Sequence, residues 1–374
     1  MKKNKILIVE NAVAVTGSVV SVLRSSEYLK DDYDFVFILP KGSKAAAAIQ
    51  ALGFETHYLP MKEIRKKFIP MLLYLPALIV NTFKFRRLVL SLQPDLILNN
   101  DFYNLLPPFY KLIGGKVPYL CYVRFLPARF PKVLVSTWCW FHRRFSSGII
   151  AVSNAVKAQL PYFESVSVIG NELPTQPADF HTSHSQLILY PANFIAGKGH
   201  EDALASFERV SQKFPDWRLR FVGGDMGLDK NASFKSALVQ KAQASVVRDQ
   251  VEWYDFAVDL STHYQASAFV LNFSESESFS MTCLEAMYQG KPVIATKSGG
   301  PEEIVEHNVN GILVGVRNIE EMSDAIHFMI THQQERELMG QSAYNHVRTK
   351  FSAANTIDKL RVLYDSVLKD ARSR

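Results

Sequence analysis

Cysteine is scarce in this sequence. The chain has 374 residues but only three cysteines, Cys121, Cys139 and Cys283, which lie far apart. It contains no Cys-x-x-Cys pair and no cluster of cysteine with histidine. The sequence therefore argues against a disulfide framework and a structural zinc site, and it fits a reducing compartment.

The sequence also lacks a hydrophobic run long enough to cross a bilayer. Its most apolar long stretch without charge, residues 68–83, has sixteen residues and contains Pro70 and Pro76. A membrane-spanning helix needs about 20 residues. Residues 6–9 are too few for the core of a signal peptide, so we interpret them as a first strand. No transmembrane helix is predicted.

The segment 62–87 around this apolar stretch is basic at both ends and leaves two interpretations open. It is either a core helix of a first domain, which the two prolines would break or kink, or a surface that contacts a membrane. In the second case its cations attract anionic lipid while Phe68, Leu72, Leu73 and Tyr74 enter the interface.

Acidic residues are missing from a long part of the first half. None occurs between Asp101 and Glu164. Residues 1–185 carry 22 Lys and Arg against 12 Asp and Glu, or 22 − 12 = +10, whereas residues 186–374 carry 20 − 24 = −4. This asymmetry suits an anionic partner of the first half. Because no aromatic platform or RNA-binding module accompanies it, we expect a membrane surface or a phosphate-bearing acceptor and no nucleic acid.

Metal chemistry has one weak candidate. Residues 31–34, DDYD, contain the D-x-D spacing that metal-dependent transferases of a different fold use. They precede an early strand, where a polar turn is expected. We therefore predict neither a bound metal nor another cofactor.

Short apolar strands recur along the whole chain, with helix-length intervals between many of them. The first series is 5–9, 35–39, 95–99, 118–123 and 148–152, and the second is 187–192, 218–224, 251–256, 268–274, 291–296 and 311–315. Such runs are typical of parallel sheets covered by helices on both faces. The length also favours two domains.

We therefore predict an α/β protein with two doubly wound, Rossmann-like domains that face a cleft. The first domain comprises residues 1–170, and a helix at 351–370 packs back on it. Residues 171–186, which include Pro174 and Pro177, form a linker. The second domain comprises residues 187–350.

Two glutamates in the second half have seven residues between them. Glu277 lies in the loop after the strand 268–274, and Glu285 lies about a turn inside the following helix. Between them, backbone N–H groups of residues 278–280 open that helix, and a helix N-terminus binds anions. A sugar nucleotide offers matching groups in the same order: hexose, diphosphate and ribose. Taken singly, each glutamate is equally well explained as a solvated loop or helix residue.

The stretch ESFSMTCLEAMYQGKPVIATKSGGPEEIV, residues 277–305, resembles the E-x7-E region of the retaining family 4 glycosyltransferases, which have the GT-B fold. NGILV (310–314), AVSNAVKAQL (151–160) and VSVIGN (166–171) also lie where family members carry similar segments. The resemblance implies hexose transfer from a nucleotide-diphosphate sugar with retention of anomeric configuration and without a metal.

Site residues of the second domain follow from the same resemblance. It implies that Glu277 contacts the donor hexose and that Glu285 binds the ribose hydroxyls. Lys198, in AGKG, matches a lysine that clamps the diphosphate. The catalytic candidates are Glu277, Lys198 and Arg124. The remaining donor-binding candidates are Ser278, Phe279 and Ser280, between the glutamates, together with Asn193, Gly17 and Ser18.

The sequence departs from the family pattern at four positions. Asn193 stands where an arginine usually joins the lysine, and Ser280 replaces a glycine. Gly17 is followed by Ser18 where a second glycine is frequent. Arg124 stands where family members often have a histidine. Either Arg124 binds an acceptor phosphate or the donor diphosphate, or it is a plain surface arginine.

The expected partners are a nucleotide-diphosphate sugar and a glycan or lipid-linked acceptor of the lipopolysaccharide, O-antigen or capsule type. We expect a cytoplasmic protein, peripheral on the inner face of the cytoplasmic membrane. Two alternatives remain: a GT-B nucleotide-sugar epimerase, and a non-catalytic protein that kept the fold for nucleotide-sugar binding or as a scaffold. The four departures favour the second alternative.

Overall fold

The chain forms two compact units. In a computed structural model, the first comprises Met1–Thr175 with Ala353–Arg374, and the second comprises Gln176–Ser352. The structure describes residues 3–61, 68–160, 163, 166–174, 180, 184–257 and 259–373, without the side chains of 68–73 and 353. The basic residues expected at 62–67, the side chains of Phe68, Leu72 and Leu73, and much of the predicted linker therefore lie outside the described part.

Each unit is built on one parallel β-sheet. The strands of the first unit are β1 (Asn4–Val9), β2 (Tyr33–Pro40), β3 (Glu55–Leu59), β4 (Leu96–Asn99), β5 (Tyr119–Val123), β6 (Gly148–Ala151) and β7 (Val166–Val168). Those of the second are β8 (Leu187–Pro191), β9 (Arg218–Val222), β10 (Val251–Tyr254), β11 (Phe269–Asn272), β12 (Val293–Thr296) and β13 (Gly311–Val314). The orders are β3-β2-β1-β4-β5-β6-β7 and β10-β9-β8-β11-β12-β13.

Helices connect most of these strands. Those of the first half are α1 (Gly17–Leu29), α2 (Ala45–Ala51), α3 (Phe68–Leu92), α4 (Leu106–Leu112), α5 (Lys132–Phe145) and α6 (Asn154–Lys157). Those of the second half are α7 (His200–Ser211), α8 (Asp229–Gln243), α9 (Ser261–Ala266), α10 (Met281–Tyr288), α11 (Pro301–Ile304), α12 (Ile319–Thr331), α13 (Gln333–Lys350) and α14 (Ala353–Arg372).

The central strands are apolar on both faces because helices cover both faces. All four residues of β4, β11 and β12 are buried, as are all five of β5 and β8. This pattern is that of a doubly wound sheet. The predicted fold class of two Rossmann-like α/β domains is confirmed.

In each sheet the strand order reverses at one point, between β1 and β4 in the first unit and between β8 and β11 in the second. Ligands of open α/β sheets bind outside the carboxyl ends of the strands at such a point. The loops that follow these four strands are therefore the places to look for a site.

The last helix, α14, belongs to the first unit. The hydroxyl of Tyr33 donates to Asp365 at 2.7 Å, and Arg361 pairs with Asp32 at 2.9 Å. Tyr364 is buried edge-on against Tyr33, with ring centroids 5.6 Å apart. These contacts attach the end of the chain to the beginning of β2.

Helix α3 is not broken at Pro76, one of the two prolines expected to break or kink it. It runs from Phe68 to Leu92 with Pro76 inside. Leu78, Phe85 and Val89 turn into the core, and their packing holds the helix together despite the missing hydrogen bond. Within the part of the chain that the structure describes, no helix combines the length and apolarity needed to cross a membrane.

Candidate functional site

An ion pair lies at the strand-order reversal of the second unit. Nζ of Lys198, in the loop after β8, is 2.6 Å from Oε1 of Glu277, in the loop after β11. The hydroxyl of Ser274 donates to the same carboxylate oxygen at 2.8 Å. The side chains of Lys198 and Glu277 are 33% and 16% exposed. The pair is therefore partly shielded from water but reachable by a ligand.

A buried tyrosine holds the two loops of the pair together. The hydroxyl of Tyr190, on β8, donates to the carbonyl oxygen of Lys198 and accepts from the backbone N–H of Phe273 at 3.0 Å. Gly199, which precedes α7, has φ 77°, and a Cβ there would lie 2.1 Å from the carbonyl oxygen of Phe273. Only glycine allows this approach, which brings Lys198 beside the end of β11.

The backbone around Glu277 is tied to the loop after β12. The N–H of Glu277 donates to the carbonyl of Ser298 at 3.0 Å, and its own carbonyl accepts from Gly300 at 2.8 Å. A Cβ at Gly300 would lie 2.3 Å from the backbone of Phe279. Gly299 and Gly300, the glycine pair of the sequence, therefore pack closely against the loop 277–280.

Phe279 and Ser280 anchor the beginning of α10. Phe279 is buried and meets Phe351 edge-on, with centroids 5.6 Å apart. Ser280 precedes the first helical residue, and its hydroxyl accepts from the N–H of Cys283 at 3.2 Å and from the amide of Asn272 at 2.7 Å. Ser278 is half-buried between Glu277 and Phe279. The N-terminus of α10 therefore lies next to the Lys198–Glu277 pair.

The backbone of Ser280 has a conformation that favours glycine, the residue that the resemblance implies at this position. Its φ of 86° lies in the left-handed region, where a non-glycine residue is strained. The two hydrogen bonds of its hydroxyl offset that strain.

A pair of substitutions separates the strain from the hydrogen bonds. We expect Ser280→Ala to destabilise the second unit by about 2 kcal/mol, because it loses the cap and leaves the buried Asn272 amide without its partner. Ser280→Gly makes the same losses but relieves the backbone, so we expect it to be about 1 kcal/mol more stable than the alanine variant. Urea unfolding measures both. An alanine variant as stable as the glycine variant would refute the backbone argument.

Glu285 lies in the middle of α10, half-buried between Leu284 and Ala286, which are buried. Asn193, at the position of the expected second cation, accepts a hydrogen bond from the N–H of Gly224 at 3.0 Å. A Cβ at Gly223 would lie 2.0 Å from the carbonyl of Ala192. Asn193 therefore braces the end of β8 against the end of β9.

The candidates of the first unit lie at its own strand-order reversal. Arg124, directly after β5, donates from Nε to Asn100 at 2.8 Å and from Nη1 to Ser21 and Asn171 at 3.0 Å each. Its guanidinium lies 3.7 Å from the ring centroid of Tyr122. Arg124 thus joins the loops after β4 and β7 to helix α1.

Gly17 is the first residue of α1, and Ser18 follows it. The hydroxyl of Ser18 is 2.8 Å from that of Thr16, and its carbonyl accepts from the Asn100 amide at 3.3 Å. The structure therefore connects Ser18 to Arg124 through Asn100.

Three buried carboxyl groups surround this network, and none was predicted from the sequence. Glu10 follows β1 and accepts from the Asn100 amide, Asp101 follows β4, and Glu172 lies after β7. Burial, together with the neighbouring Glu10, raises the pKa of Asp101 well above its usual value. Burial also raises the pKa of Glu172 to about 7. Glu10 and Asp101 come one and two residues after the buried strands β1 and β4, and that position is the signal that locates them. Glu172 comes four residues after β7, whose residues are half-buried, so the sequence gives no such signal for it.

Ser274 and Tyr190 were also missed in the second unit. Ser274 comes two residues after β11, and its position after a buried strand is the only sign of it in the sequence. From the sequence alone, Tyr190 is indistinguishable from an ordinary core residue of a buried strand. Among the described residues, no group of three His, Cys, Asp or Glu side chains is arranged to hold a metal ion.

Comparison with known proteins shows similarity to glycosyltransferases. Residues 176–346 match the family described as glycosyl transferases group 1. An uncharacterized glycosyltransferase of Haemophilus influenzae is 28% identical over 151 residues, which cover 40% of this chain and 41% of that protein. A D-inositol 3-phosphate glycosyltransferase of Corynebacterium kroppenstedtii is 26% identical over 190 residues, covering 50% and 42%. These matches span less than half the length of the curated relatives.

Solved structures resemble this chain over nearly its full length. One of them is HepE of Anabaena in complex with UDP and glucose, with a TM-score of 0.82 and 19% identity, covering 96% of this chain and 99% of that one. The likeness shows the fold, and it confirms the predicted GT-B class.

Proposed function

We propose that this protein is a glycosyltransferase that moves a hexose from a nucleoside-diphosphate sugar to an acceptor with retention of anomeric configuration. The Lys198–Glu277 pair at the carboxyl edge of the second sheet, beside the N-terminus of α10, is the observation that carries the proposal. The match of residues 176–346 to group 1 glycosyltransferases supports it. So does the name of the D-inositol 3-phosphate glycosyltransferase relative.

The donor is proposed to bind the second unit. Lys198 and the N–H groups that begin α10 would hold the diphosphate, because both favour negative charge. Glu277 would accept hydrogen bonds from hexose hydroxyls, and Glu285 from those of the ribose. Ser278, Phe279 and Ser280 would shape the backbone that receives the diphosphate.

The charges that develop during the reaction explain the roles proposed for Lys198 and Glu277. As the glycosidic bond breaks, positive charge grows at the anomeric carbon and negative charge grows on the leaving diphosphate. A lysine has three N–H donors, so Lys198 can contact Glu277 and a phosphate oxygen together. Attack from the same face, with the leaving phosphate helping to deprotonate the acceptor, would give retention.

The acceptor is proposed to bind the first unit. Arg124, Gly17 and Ser18 lie at its strand-order reversal. Because the Arg124 guanidinium already donates to Asn100, Ser21 and Asn171, we assign it the positioning of this polar network. The basic composition favours a glycan or lipid-linked acceptor on an anionic membrane, with the protein on the cytoplasmic face.

A second candidate is a protein of the same fold that binds a nucleotide sugar without transferring it. The observation that favours it is Asn193, which braces Gly224 where the resemblance implies a second cation for the diphosphate. An epimerase would share the donor site.

A thermal-shift screen of nucleoside diphosphates tests the donor site. A ligand at 100 times its dissociation constant adds about 2.7 kcal/mol of stability, so we expect at least one of UDP, GDP, ADP and dTDP to raise the unfolding temperature by several degrees. Absence of any shift would contradict the proposal. A shift without transfer or hydrolysis of the matching radiolabelled sugar nucleotide, in membrane extract, would favour the second candidate.

A further inference from the structure

Helix α3 has a second apolar face that the protein leaves uncovered. Leu75, Ile79, Phe83 and Leu90 follow a spacing that puts them on one side of the helix. Their exposed fractions lie between 46% and 67%. A different side of α3, which carries Leu78, Phe85 and Val89, packs into the core. Aligned exposed residues of this size mark an interaction surface.

Two neighbouring helices carry further exposed apolar residues. Phe85 of α3 meets Tyr110 of α4, with ring centroids 5.6 Å apart, and Phe109 of α4 meets Phe141 of α5 at 5.3 Å. Helix α4 therefore packs against both α3 and α5. The apolar residues they expose, together called the α3–α5 surface, are Leu75, Ile79, Val80, Phe83, Leu90, Leu112, Val133 and Trp140.

On α5 the exposed residues form a stripe of their own. Val133 is 77% exposed and Trp140 is 60% exposed. They are seven residues apart, and Arg144 follows four residues later, so all three lie on one side of the helix. An exposed tryptophan beside an arginine suits the boundary between water and lipid, where a polar edge stays wet and the ring is buried.

The charge of these helices has one sign. No aspartate or glutamate occurs in α3, α4 or α5. Six of their cations are exposed, and they are Lys84, Arg86, Arg87, Lys132, Arg143 and Arg144. Over residues 68–163 there are 11 Lys and Arg against two acids, Asp95 and Asp101, and Asp101 is buried. The cations are interleaved with the apolar residues: Arg86, for example, donates to the carbonyl of Ile113, beside Leu112, at 3.1 Å.

We propose that the α3–α5 surface docks the first unit on an anionic lipid bilayer. Apolar side chains enter the headgroup region while surrounding cations bind lipid phosphates, a combination that holds proteins at the interface without a spanning helix. The positive charge of the surface favours an anionic bilayer over a second copy of this chain, because two copies of the surface would bring like charges together. The proposal deepens the proposed function, since it names the partner that would present a lipid-linked acceptor.

Sedimentation with lipid vesicles tests the docking. The whole chain is mixed with vesicles of phosphatidylglycerol and phosphatidylethanolamine, or of phosphatidylcholine alone. We expect binding to the anionic vesicles at 0.1 M salt, at least tenfold weaker binding to the neutral ones, and strong weakening at 0.5 M salt, where charges are screened. No binding to anionic vesicles would overturn the proposal.

Paired variants locate the surface. Ile79→Ser with Phe83→Ser is expected to weaken binding at least tenfold, as is Lys84→Gln with Arg87→Gln. Val362→Ser is the matched control, because Val362 is 69% exposed on α14 of the same unit, and it should bind like the wild type. Unchanged binding by both double variants would overturn the proposal. The proposal would also be overturned if the wild type formed an oligomer that does not bind vesicles and that the Ile79→Ser, Phe83→Ser variant disrupts.

The nucleotide thermal shift, run on the same variants, keeps the two proposals apart. We expect it to be unchanged in every surface variant, because the substitutions lie in the other unit from Lys198 and Glu277. Vesicle binding without a nucleotide shift would refute the donor site and leave the docking surface standing. A nucleotide-induced thermal shift without vesicle binding would refute the docking surface and leave the donor site standing.

Discussion

Replacing Glu277 by glutamine is expected to lower the rate of hexose transfer by about 10²- to 10³-fold, a loss typical of removing one electrostatic contact to a transition state. Glutamine keeps the size of the side chain but removes the negative charge that would face the developing positive charge of the hexose. A nucleoside diphosphate without sugar should bind as well or better, since a charge near its phosphates is gone. Initial rates with labelled donor, and calorimetric binding of the diphosphate, measure the two effects.

Glu275→Gln is the matched control for this variant. Glu275 lies two residues earlier in the same loop and pairs with the exposed Arg317 at 2.7 Å. An exposed pair contributes little, so the control should keep nearly wild-type transfer. Equal losses in the two variants would show that the loop, and not the Glu277 carboxylate, sets the rate.

Replacing Lys198 by methionine is expected to weaken binding of the nucleoside diphosphate by about 100-fold, because it loses a charge-assisted hydrogen bond. It also leaves the carboxylate of Glu277 unpaired beside the bound phosphates. Transfer should fall by at least as much as binding. Calorimetric titration of the wild type and the variant measures the change.

The double variant Lys198→Met with Glu277→Gln separates these two causes. If the unpaired carboxylate repels the diphosphate, the double variant binds it several-fold more tightly than Lys198→Met alone. Lys213→Met serves as the control, since Lys213 is exposed beyond the far end of α7, about 18 Å along that helix at 1.5 Å per residue. Binding lost equally in the Lys213 control would contradict the role of Lys198.

The fold was predictable because most strands are buried on both faces and therefore appear as apolar runs. Two strands, β3 and β7, were not predicted, each for a different reason. In β3, ETHYL, exposed and buried positions mix because the strand lies at the edge of the sheet. In β7 there are only three residues, each half-buried. Helix α3 continues past Pro76 because core packing, which the local sequence does not show, outweighs the lost hydrogen bond.

The site was predictable only where its residues are close in sequence or belong to the resemblance. Glu277, Ser280 and Glu285 fall within nine residues, so spacing alone gathers them. The ion pair of Lys198 with Glu277 joins residues 79 positions apart, and the strand order brings them together. The same holds for Glu10, Asp101 and Glu172, which the first sheet collects from three distant strands.

A crystal structure with the sugar donor of the nucleoside diphosphate that gives the largest thermal shift would show whether the donor binds at Lys198 and Glu277. We expect a diphosphate oxygen within about 3 Å of Lys198 Nζ, the N-terminus of α10 against the phosphates, and the hexose and ribose at Glu277 and Glu285. A nucleotide bound elsewhere on the chain, with Lys198 and Glu277 still paired only to each other, would contradict this expectation.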